Sequence, residues 1–170
     1  MGVAGLFADE RVELLDGTIV NMAPQNSPHA STVTRLHRAL MRAIGETAHL
    51  RSQLPIVLDD WSEPEPDVAV CKLDPHDYAR EHPHPSDLVL VCEVADSSLA
   101  YDRGAKAAAY AASSIREYWL VDLESRTIEV RGDPEPASRR YRRDALVREG
   151  ETLTAPGGAV IAAADILPPR

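Results

Sequence analysis

The chain changes its hydrophobic rhythm several times, and each change predicts an element. Two short apolar-rich runs, residues 11–15 and 18–22, flank Asp16-Gly17. An Asp-Gly pair between such runs is a strong hairpin signal, because the tight turn needs left-handed backbone at its centre. Pro24 and Pro28 then break the pattern. From 29 to 47, Val33, Leu36, Leu40 and Ile44 recur at helical spacing, with basic residues on the other side and Gly45 near the end. That period predicts the first long helix. Residues 50–58 read as a strand, at an edge or bulged because Pro55 lacks an N–H.

Three later stretches, 66–71, 88–94 and 117–122, are nearly unbroken apolar runs of strand length and predict buried strands. Between the first two, residues 74–87 carry three prolines and His76, His82 and His84, which predicts a loop. After the second, Asp96-Ser97-Ser98 breaks the run, and Asp102 is a candidate N-cap for an alanine-rich helix containing Lys106 and Tyr110. Residues 127–131 alternate and should pair with 117–122 through the turn 123–126. A further strand is expected over 140–148, and a strand or short helix over 160–167. With no internal repeat and no linker, the expectation is a single α+β domain over residues 1–170, its core about 11–167: one central mixed β-sheet flanked by helices, with an N-terminal β-hairpin.

Composition narrows the class. With 170 residues, 44% hydrophobic and 26% charged, the chain reads as an ordinary globular protein with one sizeable core. No run of about 18 apolar residues predicts a membrane span, and the first residues lack the charged and apolar regions of a signal peptide, so a cytoplasmic location is expected. The net charge of −9 argues against binding nucleic acid through a broad basic surface, although a metal centre would supply positive charge locally. Arg131, Arg139, Arg140, Arg142, Arg143 and Arg148 cluster late in the chain and read as a solvated hairpin or a local basic patch.

The chemistry-bearing residues lie on the apolar runs. Asp67 follows Pro66 at the start of one, and Glu93 interrupts the end of another. Acidic groups are costly in such surroundings without a partner or a metal. Two carboxylates on neighbouring strands followed by a lysine, Lys106, are what a metal-dependent phosphodiesterase site requires: carboxylate oxygens for Mg²⁺, and an ammonium to orient water and stabilise negative charge. Each residue also has a bland reading. Asp67 could open a strand, Glu93 could pair with an arginine, and Lys106 could form a surface pair with Asp102 four residues earlier. Strand alternation adds an expectation for Cys71 and Cys92. Cys71 shares a face with Asp67 while Cys92 points away from Glu93, so the thiols should lie on opposite faces, reduced and unbridged. The loop histidines lack zinc-like spacing.

The series Pro66-Asp67, Glu93-Val94-Ala95-Asp96-Ser97-Ser98, Tyr101-Asp102-Arg103-Gly104-Ala105-Lys106, Tyr110 and Glu117-Tyr118-Trp119-Leu120-Val121-Asp122 closely resembles the Uma-type putative restriction endonucleases of the PD-(D/E)XK nuclease superfamily. Upstream, Glu13-Leu14-Leu15-Asp16-Gly17, Met22-Ala23-Pro24, His29, Leu36 and Leu40 are similar to that family's hairpin and helix. The resemblance implies a restriction-endonuclease-like core and Mg²⁺- or Mn²⁺-dependent hydrolysis of DNA. Asp67 and Glu93 would be metal carboxylates, the Val94 carbonyl a further ligand, and a homodimer is expected. The superfamily's lysine belongs two residues after the second carboxylate, where this chain has Ala95; Lys106 on the following helix would take its role. Secondary candidates are His29, Glu13, Gln53 and Tyr110. His29 would contact substrate or a bound water, or merely start the helix; Tyr110, one turn after Lys106, would buttress it or pack the core. The alternatives are a non-catalytic interaction protein retaining the fold, and a phosphodiesterase acting on RNA or small phosphate esters.

Overall fold

The computed structural model describes residues 11–169. Asp16 and Gly17, both at positive φ, turn β1 (Val12–Leu15) into antiparallel β2 (Thr18–Asn21). The first helix, α1 (Ser27–Ile44), starts where the Asn26 side chain accepts from the His29 amide, and ends at Gly45, whose φ of 60° suits a residue without Cβ. A 3₁₀ turn (Gly45–Thr47) completes the segment expected to be one helix from 29 to 47.

The central sheet has six strands in the order β3 (His49–Arg51), β4 (Val68–Cys71), β5 (Leu88–Ala95), β6 (Glu117–Asp122), β7 (Thr127–Glu135) and β8 (Arg140–Arg148). Only β5 and β6 run parallel, and the connection between them is helical. It comprises a turn of helix α2 (Leu99–Tyr101), a π-helical turn (Asp102–Lys106) and α3 (Ala107–Ala112). The chain closes with a small ladder of β9 (Thr152–Thr154) and β10 (Val160–Ala162) and a helical turn α4 (Ala163–Ile166).

Strand alternation divides the core in two. Val68, Val70, Leu90, Cys92 and Val94 face α1 and α4, among Val33, Leu36, Leu40 and Ile166. Ala69, Cys71, Val91 and Ala95 face the other way, towards Ala107, Tyr110 and Tyr118. Cys71 and Cys92 are free thiols in these opposite clusters, as strand parity requires. Burial pushes the Cys71 thiol up to about 12 and the Cys92 thiol well above its ordinary value, so both stay protonated.

Two local expectations need correction. The strand read over 50–58 survives only as β3; Gln53, at φ 55°, turns the chain out of the ladder. The segment then folds back on itself, with Ile56 donating to Pro64 and Leu58 to Ser62, while Glu63 bridges to Leu14 in β1. Asp102 is not an N-cap. It is buried inside the π-helical turn, bonded by the Ser98 hydroxyl. The late arginines form a solvated hairpin rather than an open basic patch: Arg139 pairs with Asp16, Arg142 with Glu135, and Arg143 with Glu117 and Asp133. Among the described residues, no helix is long and apolar enough to cross a membrane.

Candidate active site

Strand register creates the site. β4 begins at Val68, opposite Cys92, so the last residues of β5 run past its end. The Ala95 carbonyl turns to Leu123 on the β6 side. Val94, one residue away, therefore presents its backbone to the open side left beyond β4. Asp67 fills that gap: the Val94 amide donates to its Oδ2 at 2.8 Å. Asp67 Oδ1 accepts from Gln53 Nε2 at 3.2 Å, and His29 Nε2 lies 3.2 Å from Oδ2.

Glu93 points to the α3 face. Its Oε1 accepts from Lys106 Nζ at 3.0 Å and from the Tyr110 hydroxyl at 2.7 Å. Among the described residues, its Oε2 meets only the Asp67 amide, at 3.4 Å. Lys106 Nζ is also 3.1 Å from Glu13 Oε2, and that same oxygen accepts from the Glu65 amide at 3.2 Å. The hairpin strand β1, the start of β4, the end of β5 and the crossover helix thus converge. Asp67, Glu93 and Lys106 come together, as do all four secondary candidates. Tyr110 bonds the carboxylate rather than only packing the core, and His29 does more than start a helix. Lys106, 4% exposed, forms no surface pair with Asp102. The loop histidines take other roles: His82 faces Arg51, and His84 caps the turn before β5.

The site opens on a cavity of about 330 Å³ lined by Glu13, His29, Asp67, Glu93, Asp102 and Lys106, with the 97–98 loop at its rim. Asp102 was missed as a site residue because Asp four before a lysine on an exposed helix is so common a surface pair. The legible signal was the Ser98 hydroxyl four residues earlier, a ready partner for an inward carboxyl.

Electrostatics follow from burial. Burial pushes the Glu93 carboxyl up to about 8, against the opposing pull of Lys106 and with the help of Asp102, Asp67 and Glu13. Asp102 is raised for the same main reason. Burial works against the Lys106 ammonium, but Glu93, Glu13 and Asp102 outweigh it and hold its pKa above the usual lysine range. His29 is raised as well: burial opposes its charge, and Asp67 and the Val94 backbone overcome that. Four acidic side chains therefore face one ammonium and one imidazole; the raised Glu93 and Asp102 show that protons, where no cation is bound, meet the charge deficit.

Among the described residues, no three His, Cys, Asp or Glu side chains form a metal cage by themselves. Mg²⁺ does not demand one, since it takes one or two carboxylates and keeps several waters. Asp67, Glu93 Oε2 and the Val94 carbonyl are oxygen donors of that kind, and a cation would take the place of the protons that burial holds on the acids. The donor set fits.

Comparison with known proteins agrees with this architecture. A structure of a putative nuclease belonging to DUF820 from Anabaena variabilis superposes with a TM-score of 0.72, covering 97% of this chain and 94% of the other at 13% identity, a likeness of fold. No curated protein matches the chain. The family described as putative restriction endonuclease, Uma2, matches residues 6–162, nearly the whole length; the chain belongs to that family.

Proposed function

We propose that this protein is a metal-dependent endonuclease that hydrolyses DNA phosphodiester bonds. Asp67, Glu93 and the Val94 carbonyl hold Mg²⁺ or Mn²⁺, and Lys106 positions the attacking water or the phosphate. The observation that carries this reading is the convergence of Asp67, Glu93 and Lys106 where β4 starts and β5 ends, with Glu93 within hydrogen-bonding reach of the Lys106 ammonium and of the Asp67 amide. A bound divalent ion supplies charge neutralisation at the phosphate and lowers the pKa of a bound water.

The chain's own residues do the rest. Tyr110 and Lys106 both occupy Glu93 Oε1, which aims Oε2 at the cavity. Gln53 and the Val94 amide fix the Asp67 carboxylate. Glu13 shares the Lys106 ammonium with Glu93, so its position is set from two sides before substrate arrives. This contact favours catalysis over the reading of a non-catalytic interaction protein. A homodimer would present two such sites to the two strands of a duplex, which sedimentation equilibrium would detect.

The test is cleavage of supercoiled plasmid with Mg²⁺ or Mn²⁺, comparing wild type with Glu93→Ala prepared identically. Cleavage by wild type, lost in the variant and with a chelator, is expected. Equal cleavage by both would place the activity elsewhere. Inactivity on DNA with turnover of RNA or small phosphodiesters would reassign the substrate, and inactivity on all of them would overturn the enzyme reading.

A further inference from the structure

We propose that the groove between α1 and β10 is a phosphate site, in which Arg35, Arg38 and Arg42 hold the phosphodiester backbone of DNA. This rests on the DNA reading above for its ligand and deepens it.

Helical spacing places the three arginines in one row. Positions 35, 38 and 42 are three and four residues apart on α1, so their side chains share a face. The row lines a cavity of about 330 Å³, together with Ala39, Ala43 and Ile161. Short side chains beside the arginines let a sugar–phosphate chain approach closely. At about 1.5 Å per residue the row covers about 10 Å of helix. One DNA strand carries a phosphate about every 3.4 Å of its axis, so the row spans about three of them.

The row lacks counter-charge. Arginines elsewhere on the surface are matched by acids, as Arg139 is by Asp16, Arg142 by Glu135 and Arg126 by Glu149. Among the described residues, Arg35, Arg38 and Arg42 form no ion pair, and Asp165, the acid in the cavity lining, pairs with none of them. Arg38 and Arg42 are exposed, whereas Arg35 is half-buried and held in place. Its Nη2 donates to the Ala164 carbonyl at 2.6 Å, while its buried Nε has no hydrogen-bond partner among the described residues. Buried donors are normally satisfied. A phosphate oxygen in the groove satisfies this one, and guanidinium forks take such oxygens in pairs.

The charge of the whole chain gives the row its importance. A net charge of −9 repels DNA over most of the surface. Affinity for the backbone must then come from a local cluster of uncompensated cations. The late hairpin balances its arginines with its own acids and with Asp16; the row on α1 does not.

The experiment is an anisotropy titration of a short labelled DNA duplex in EDTA, so that neither metal binding nor cleavage contributes, at several salt concentrations. Wild type is compared with Arg38→Ala/Arg42→Ala and with Arg139→Ala/Arg142→Ala, which removes the same charge from the paired hairpin. We expect the first variant to lose at least about tenfold in affinity and about 2 from the log–log salt slope. The hairpin variant should stay close to wild type. Both α1 substitutions are at exposed positions, and an unchanged circular dichroism spectrum checks the fold. Wild type whose DNA affinity is absent, or does not fall with salt, overturns the inference without any variant. Equal losses in the two variants also overturn it, since net charge and not the groove would then set affinity. Poly-glutamate bound more tightly than DNA would assign the groove to an acidic protein segment instead, and a matched RNA duplex bound more tightly would overturn the assignment to DNA. Plasmid cleavage with unchanged binding in Arg38→Ala/Arg42→Ala sinks this inference alone. The expected binding by a chain that cleaves no nucleic acid sinks the nuclease reading and leaves the groove standing.

Discussion

Two groups of buried carboxylates lie on the same sheet and are balanced differently. Between β6 and β7, Asp122 and Glu129 are 4% and 7% exposed, and two arginines meet them. Arg103 reaches Glu129 at 2.7 Å and Asp122 at 3.4 Å; Arg131 reaches Glu129 at 2.5 Å. Two acids face two guanidinium groups, whose fixed forks satisfy the carboxylates without help. Where β4 starts and β5 ends, Glu13, Asp67, Glu93 and Asp102 share Lys106 and His29. Burial of an acid does not by itself mark a site. Burial without enough positive charge does, because the deficit must be met by protons or by a cation.

The balanced group also supports the unbalanced one. Arg131 donates to the Arg103 carbonyl at 3.0 Å, and the Tyr118 hydroxyl donates to the Asp102 carbonyl at 3.0 Å. Arg103 turns outward to the arginine network while Asp102 and Lys106 turn inward. The network thus holds the π-helical turn whose inner side lines the cavity, in keeping with the frequent occurrence of such turns at functional sites.

The contrast is broken most forcefully by neutralising one acid from each group. Asp67→Asn should lower nuclease activity by about 10³-fold or more, the scale of losing a group that holds transition-state charge. Asp122→Asn should leave activity within a few-fold of wild type in a plasmid nicking assay. A comparable loss in both would mean that the two groups do not differ in kind.

Stability should divide the other way. Arg131→Ala strands Glu129 beside a single remaining guanidinium and should cost about 3 kcal/mol in urea unfolding. A cost below about 1 kcal/mol would show that the network does not hold the crossover.

The pH dependence of the metal-free protein sharpens the comparison further. The folded state keeps a proton on Glu93 across the window from 4.5 to about 8, where the unfolded chain has released it. The folded state binds more protons there, so the unfolding free energy falls as pH rises through that window. Asp102 and His29, both raised, act in the same direction. Lys106, also raised, contributes stability that is lost only at more alkaline pH. Chemical denaturation at several pH values should show this decline, and Glu93→Gln should flatten it. An unchanged slope in Glu93→Gln would remove Glu93 from the account. The smallest effect belongs to the exposed Arg142–Glu135 pair: Arg142→Ala should change stability by less than about 0.5 kcal/mol in the same measurement.

Much of this protein could be read along the chain. The apolar runs at 66–71, 88–94 and 117–122 place β4, β5 and β6 closely, because short unbroken apolar stretches bury both faces of a strand. Asp16-Gly17 places the hairpin, and strand parity separates Cys71 from Cys92. Asp67, Glu93 and Lys106 are visible as polar residues where apolar ones belong. The strand expected over 50–58 was misread because its composition suits a ladder, while a left-handed residue at Gln53 and a fold-back against β1 were decided by distant partners. Asp102 looked like a cap because local patterns describe the helix surface, not which side the crossover turns to the sheet.

Local periodicity thus determined the elements and the faces of their side chains, since these depend on neighbours two to four residues away. Only the tertiary structure decided that Glu13 and His29, 54 and 38 residues before Asp67, end in the same site, Glu13 on Lys106 and His29 on Asp67. It also decided how many carboxylates share one lysine. Charge balance in a buried site is a sum over elements far apart in the chain, and that sum exists only once the sheet, the hairpin and the crossover helix have packed together.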